Sequence, residues 1–281
     1  MHICKTISEF RQFRHSVAES TIIFVPTMGA LHEGHGSLVQ MARQLAGSNG
    51  VVAASIFVNP TQFGPNEDFH KYPRPFEQDL ANLGRWQADV VFSPSPEEMY
   101  PVGASTSIDP GPLGDVLDGA IRPGHFRGVC TVVAKLLGIV EPTAMILGQK
   151  DFQQQRILRQ MVMDLNMPVE VITAPTMREP DGLAMSSRNR YLSTDQRARA
   201  GAIYQALCWA QDQYHSGMRK SAVLQAGMIE QITQAGLEVQ YALACHAETL
   251  VPYTETAGTP CVLLVAAKLG TTRLIDNLLI S

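Results

Sequence analysis

A chain of 281 residues, 45% hydrophobic and 17% charged, holds enough apolar side chains for one large core or two modest ones. A formal charge of −4 with no basic block argues against non-specific nucleic-acid binding, and no apolar run reaches the length of a membrane span. The first residues lack the charged-then-apolar pattern of a secretory leader. The five cysteines (Cys4, Cys130, Cys208, Cys245, Cys261) form no C-x-x-C, so reduced thiols and a cytoplasmic location are expected.

Residues 6–18 have the spacing of a modest amphipathic helix (Ile7, Phe10, Val17) that precedes the first strand. Ile22–Val25 is too short for a helix and rich in β-branched residues, which predicts a buried strand. Residues 26–35 follow it and lead into a helix carrying Leu38, Ala42 and Leu45. Residues 51–58 form a continuous apolar strand suited to the middle of a parallel sheet, ending in a polar loop at 59–65. Pro75 starts a helix with Phe76, Leu80 and Leu83 on one face. Residues 89–92 are the next strand, and 103–128 are expected to be loop-rich ahead of a helix with Val129, Val133, Leu136 and Val140. Residues 143–147 form a strand that runs through Gly148-Gln149-Lys150-Asp151 into a helix, and 169–173 close the series. Strands alternating with helices predict an α/β domain over residues 1–175 with a doubly wound, Rossmann-like parallel sheet.

The character changes near residue 176. A hairpin around Asp181-Gly182 flows into Ser186-Ser187-Arg188-Asn189. Ser193-Thr194-Asp195-Gln196 is a capping box for one long helix with Ile203, Leu207, Ala210 and Tyr214, and a second helix spans about 220–235, stopping at Gly236. Leu237, Val239, Tyr241 and Leu243 then alternate, 261–267 is an apolar strand, and a last strand runs through Ile275. Residues 176–281 are therefore expected as a smaller α+β domain.

His32 and His35, three apart at a helix start, lie on one face where unpaired N–H groups and the helix dipole favour an anion. Gly29 and Gly34 allow close backbone approach. A helix cap or a zinc pair would use the same two histidines. Three more segments fall where strands end or domains meet: 59–63 with Gln62, 148–154 with Lys150 and Gln154, and 185–188 with Ser186, Ser187 and Arg188. They supply amides that donate and accept, an ammonium group, two hydroxyls and a guanidinium fork. The chain carries no G-x-S-x-G elbow, Walker loop or G-x-G-x-x-G fingerprint.

Taken together, residues 26–35, 55–63, 122–129, 148–154, 181–191, 265–270 and 273–277 resemble the pantothenate synthetase (pantoate–β-alanine ligase) family over essentially the whole chain. His32-Glu33-Gly34-His35 alone would indicate only the wider nucleotidyl-transferring superfamily. The resemblance implies ATP-dependent condensation of (R)-pantoate with β-alanine to pantothenate through a pantoyl adenylate, releasing AMP and pyrophosphate. It implies ATP contacts from Met28, Gly29, Ala30, Leu31, His32, Glu33, Gly34 and His35, and from Gly148, Gln149, Lys150 and Asp151. Met177, Met185, Ser186, Ser187 and Arg188 complete the implied ATP set. His35, His32, Lys150 and Arg188 are the implied catalytic group; Gln62 and Gln154 would hold pantoate, and Gln62 would also face β-alanine. ATP is the implied co-substrate. Mg2+ would bridge its phosphates with few protein ligands, Asp79 being a candidate for outer contact. The smaller domain would close over the site, and the implied assembly is a homodimer acting on small molecules, with neither nucleic acid nor membrane as partner.

Three positions depart from the family pattern: Thr61 where methionine is common, Gln149 where glutamate is common, and Gly36 where a larger apolar residue is more frequent. A helix-interior glycine costs on the order of 1 kcal/mol. Two other functions compete with the ligase. A metal-dependent hydrolase would use His32, His35 and either His70 or His125, and a nucleotide sensor would bind ATP without releasing pyrophosphate.

Overall fold

The computed structural model describes residues 1–65 and 67–280, so residue 281 of the expected second domain lies outside the described residues. The chain divides into two compact units, Met1–Gly148 with Gln153–Ala174, and Gln149–Phe152 with Pro175–Ser281.

In the first unit an edge strand, β1 (His2–Cys4), precedes helix α1 (Ile7–Ser16). The sheet thus begins one strand earlier than the apolar pattern indicates, because three residues with one buried side chain carry no periodicity. β2 (Ile22–Val25), α2 (Glu33–Ala46), β3 (Val51–Ser55), α3 (Phe76–Arg85), β4 (Val90–Phe92) and the short α4 (Pro96–Met99) follow. Then come the short α5 (Asp118–Ile121), α6 (His125–Val140), β5 (Ala144–Gly148), α7 (Phe152–Asp164) and β6 (Glu170–Ala174). All strands pair in parallel in the order β1-β4-β3-β2-β5-β6, the doubly wound sheet that the alternation predicts. β3 ends at Ser55, three residues short of the expected strand, where Ser55 bonds to Thr27 and Phe57 N turns to the Thr27 carbonyl.

Successive strand residues face opposite sides of a sheet. Ile22 and Phe24 of β2 therefore bury with Phe10 of α1, Val133 of α6 and Leu158 of α7, whereas Ile23 and Val25 bury with Leu38, Val39 and Ala42 of α2 and Leu83 of α3. Burial on both faces is why these strands read as unbroken apolar runs. Strand order reverses between β2 and β5, so the carboxyl end of β2 lies at the switch point where open α/β sheets bind ligands.

The second unit opens with a hairpin in which Arg178 bridges Ala184 and Met185 N donates to Met177 O at 3.0 Å. α8 (Thr194–Ala200), α9 (Ala202–His215) and α10 (Ser221–Gln234) precede an antiparallel sheet of β7 (Glu238–His246), β8 (Cys261–Leu269) and β9 (Thr272–Ile280) in that order. Ser193 and Gln196 form the expected capping box, but the single long helix is two. Gly201 interrupts it, with its α-carbon against the Asp181 carbonyl, 3.2 Å from where a Cβ would sit. The alternation in β7 changes phase: beyond Tyr241 the residues that face the helices are Ala242 and Ala244, because a bulge between Val239 and Tyr241 adds one residue to the strand. The inward faces of the helices (Ile203, Leu207, Leu224, Met228) pack on Ala244, Leu263 and Val265.

Candidate active site

The turn after β2 is tied down from two sides, the end of β3 and α3. Thr27 Oγ1 donates to Ser55 O at 2.6 Å and accepts from Gly29 N at 3.1 Å, which fixes the turn to the end of β3. Gly29 and Ala30 both take positive φ, +79° and +52°. Such a conformation is unfavourable for alanine and needs external support. Asp79, 1% exposed on α3, supplies it: its two carboxylate oxygens accept from Ala30 N and Leu31 N, each at 2.8 Å. Asp79, the residue implied for outer contact with a metal, thus has a structural role as well, each of its oxygens accepting one backbone donor.

His32 is the N-cap of α2 rather than a residue of its first turn, and His35 is the third helical residue. The two rings form a capping box made of imidazoles. His32 Nδ1 accepts from Gly34 N at 3.2 Å and His35 Nδ1 accepts from His32 N at 3.3 Å, with ring centroids 4.1 Å apart. A ring nitrogen that accepts carries no proton, so in both neutral rings the proton resides on Nε2. The cap and the anion site are therefore compatible: Nδ1 serves the helix and Nε2–H is the donor edge. Glu33 is exposed and pairs with Arg85 at 2.5 Å.

The segment after β3 meets this turn. Gln62 is buried, and its Nε2 lies 3.0 Å from Met28 Sδ, which brings the two predicted residues together. Its Oε1 accepts from Asn59 Nδ2 at 3.1 Å. Asn59, 1% exposed and not singled out in the sequence, is the hub: Nδ2 also donates to Gly128 O, and Oδ1 accepts from Thr61 Oγ1 and Tyr100 Oη, both at 2.9 Å. The departure Thr61 is thus accommodated by a bond its hydroxyl makes to Asn59. Gly128 is required here, because a Cβ on it would lie 2.3 Å from Thr61 O. The main chain of Gln62 is held by His125, whose Nδ1 donates to Gln62 O at 2.8 Å, and His125 Nε2 lies 3.0 Å from Arg122. Burial, then the Arg122 charge, lowers the His125 pKa to about 4. Arg122 in turn grips Glu67 with two bonds of 2.6 Å. Burial pushes the Glu67 carboxyl up, and Arg122, with smaller help from the Gly64 backbone and His125, brings it below the usual range.

Gln154 is half-buried on α7, flanked by Gln153, which pins the preceding loop through Leu113 O, Val116 O and Asp118 N. Cys130 is fully buried, and its thiol is pushed up to about 12 by burial, as befits a packing residue. His125 is committed to Gln62 and Arg122, and among the described residues no three His, Cys, Asp or Glu side chains are grouped to hold a metal ion.

Within the second unit Lys150 and Asp151 pair at 3.7 Å, with the Lys150 side chain largely buried. Gln149 Nε2 contacts Asn277 Oδ1 at 3.4 Å, which accounts for the amide where glutamate is common. Ser186 caps a 3-10 turn over Ser187–Tyr191, accepting from Arg188 N at 3.3 Å. Ser187 is buried, Arg188 and Met185 are half-buried, and Met177 is exposed. Gly148 ends β5.

A family model described as Pantoate-beta-alanine ligase matches residues 2–279. The chain is 50% identical to the pantothenate synthetase of Thermotoga petrophila and 49% identical to that of Herpetosiphon aurantiacus, in each case over 99% of both chains. Among solved structures, the pantothenate synthetase of Thermus thermophilus superposes with a TM-score of 0.93 at 43% identity, covering 99% of each chain. The pantoate-beta-alanine ligase of Francisella tularensis, solved with beta-gamma ATP and beta-alanine, superposes with a TM-score of 0.83 at 38% identity, covering 99% of this chain and 97% of its own. With a match from end to end in sequence and in fold, the chain belongs to the pantoate–β-alanine ligase family.

Proposed function

We infer that the chain condenses pantoate with β-alanine to pantothenate in an ATP-driven, AMP-forming reaction. A pantoate carboxylate oxygen attacks the α-phosphorus, and the bond to the β-phosphate oxygen breaks to release pyrophosphate. The β-alanine nitrogen then attacks the acyl carbon of the pantoyl adenylate. AMP departs with the oxygen that pantoate contributed, and the amine proton passes to solvent.

The observation that carries the nucleotide half is the imidazole capping box directly after the central strand, which fixes two Nε2–H donors beside the N-terminus of a 14-residue helix. Attack at phosphorus builds negative charge on the non-bridging oxygens, so catalysis consists mostly of positioning and charge stabilisation. His32 and His35 donate to the phosphates, His35 acting as the proton donor. Residues 28–34 line the nucleotide, Lys150 neutralises developing charge, Asp151 faces the ribose, and Ser186, Ser187 and Arg188 clamp the triphosphate. Gly148 and Gln149 run beside the nucleotide, and Met177 and Met185 flank it. Gln62 and Gln154 hold pantoate, and Gln62 also faces β-alanine. Magnesium would supply charge neutralisation for the triphosphate, with Asp79, which already braces Ala30 N and Leu31 N, as the candidate for outer contact. The assembly is a homodimer, to be checked by sedimentation.

Pantoate labelled with 18O in its carboxylate, incubated with ATP, magnesium and β-alanine, should give pantothenate and pyrophosphate with one labelled oxygen in AMP. Label in phosphate or pyrophosphate, or ADP as product, would refute the adenylate route. Lys150→Ala should cost more than ~2 kcal/mol in transition-state stabilisation, read as a fall in kcat for pyrophosphate release; an unchanged kcat would remove the lysine from the chemistry.

A further inference from the structure

Residues 273–277 match the family yet have no role in the chemistry above, and two of them are buried polar side chains on an edge strand: Asp276 at 4% and Asn277 at 1% exposure. As neighbours on β9 they face opposite sides of the sheet. Asp276 shares its side with Leu274 and Ile280, which line the core under the helices. There it accepts two bonds from Arg178, at 2.6 and 3.0 Å, and Arg178 lies 3.8 Å over the Tyr204 ring of α9. Arg178 also donates to Gly182 O and to Asn277 O, so this pair ties the 177–185 hairpin to β9. Asp276 Oδ1 further accepts from Asn277 N at 2.8 Å, which fixes the backbone of the next residue.

On the other side, Asn277 Nδ2 donates to both Gln149 O and Lys150 O, each at 2.9 Å, and Oδ1 receives Gln149 Nε2. Residues 149–152 belong to the second unit although β5, which they follow, belongs to the first. One amide on β9 thus binds two consecutive carbonyls of this segment.

We propose that Asn277 is a positioning residue for Lys150, locking its main chain so that the ammonium group is delivered to one place, with the Asp276–Arg178 pair holding Asn277 in register. This rests on the role given to Lys150 above. Two carbonyls held by one amide leave the lysine main chain little freedom, so ordering of its side chain begins from a fixed root. Misplacing a charge-stabilising group by about an ångström costs up to about a hundredfold in rate.

The test is a double-mutant cycle. Asn277→Asp keeps the volume but turns a carboxylate oxygen toward the two carbonyls; Asn277→Ala deletes the amide and serves where the first variant does not fold, folding being judged by the melting temperature. In the otherwise native chain the substitution should lower kcat for pyrophosphate release about tenfold to a hundredfold, with the KM for pantoate moving no more than about threefold. In a Lys150→Ala chain the same substitution should change kcat by no more than about twofold. Equal losses in both backgrounds overturn the proposal while leaving Lys150 its role. A Lys150→Ala chain with native kcat overturns that role and the positioning together.

Discussion

Gly36 lies on the buried face of α2, and a Cβ built there would sit 2.5 Å from Trp86 Cε2. The indole, 3% exposed, takes the space that a side chain at position 36 would need. Gly36→Leu should therefore lower stability by ~2 kcal/mol, overpacking outweighing the ~1 kcal/mol gained in helix propensity. Urea midpoints check this, and Trp86→Ala in the same chain should recover part of the loss because the two sites are coupled. His125 gives a second, pH-dependent prediction. Its folded pKa of about 4 lies below the ordinary 6.5, so between those values the unfolded chain binds a proton that the folded chain does not. Stability should fall as pH drops through that window, by up to ~3 kcal/mol at ~1.4 kcal/mol per unit. His125→Asn keeps an N–H for Gln62 O without titrating; its unfolding free energy at pH 4.5 and pH 7 should differ less than that of the native chain. An equal difference would place the titration elsewhere.

At the scale of elements, the turn between β2 and α2 is set by groups from other elements: Ser55 at the end of β3 and Asp79 on α3. Asp79→Asn turns an amide N–H toward a backbone N–H, leaving one buried donor unmet at a cost of about 1–3 kcal/mol. ATP affinity should weaken by a comparable free energy while pantoate affinity changes little, as calorimetric titration would measure. Loss of pantoate affinity alone would count against a nucleotide-binding turn. Residues 26–35 were legible as a strand-to-helix turn because strand, glycine and histidine signals are adjacent in the chain. The cap that orients the histidines was legible only as an alternative, since sequence does not reveal which ring nitrogen a backbone N–H will meet.

For the whole molecule, each unit has its own apolar core, and among the described residues the second core is built from residues of the second unit. Leu207→Ala, in the centre of the second core, should destabilise by about 2–5 kcal/mol. Calorimetry should then show an early transition with an enthalpy near that of about 110 residues, about 80 kcal/mol. One merged transition carrying the enthalpy of the full chain would mean that the units unfold together.

Sequence by itself determined the strand–helix alternation of the first unit and the helix start at Ser193. These follow from burial period and capping, which act over a few residues. Only tertiary structure decided the added edge strand, the break at Gly201, the phase change in β7, and the polar hubs. Ala30 N reaches Asp79 across 49 residues and Asn277 reaches Gln149 across 128. Bonds between a side chain and a distant backbone group impose no period on the chain, so no local pattern announces them until the fold has brought the partners within 3 Å.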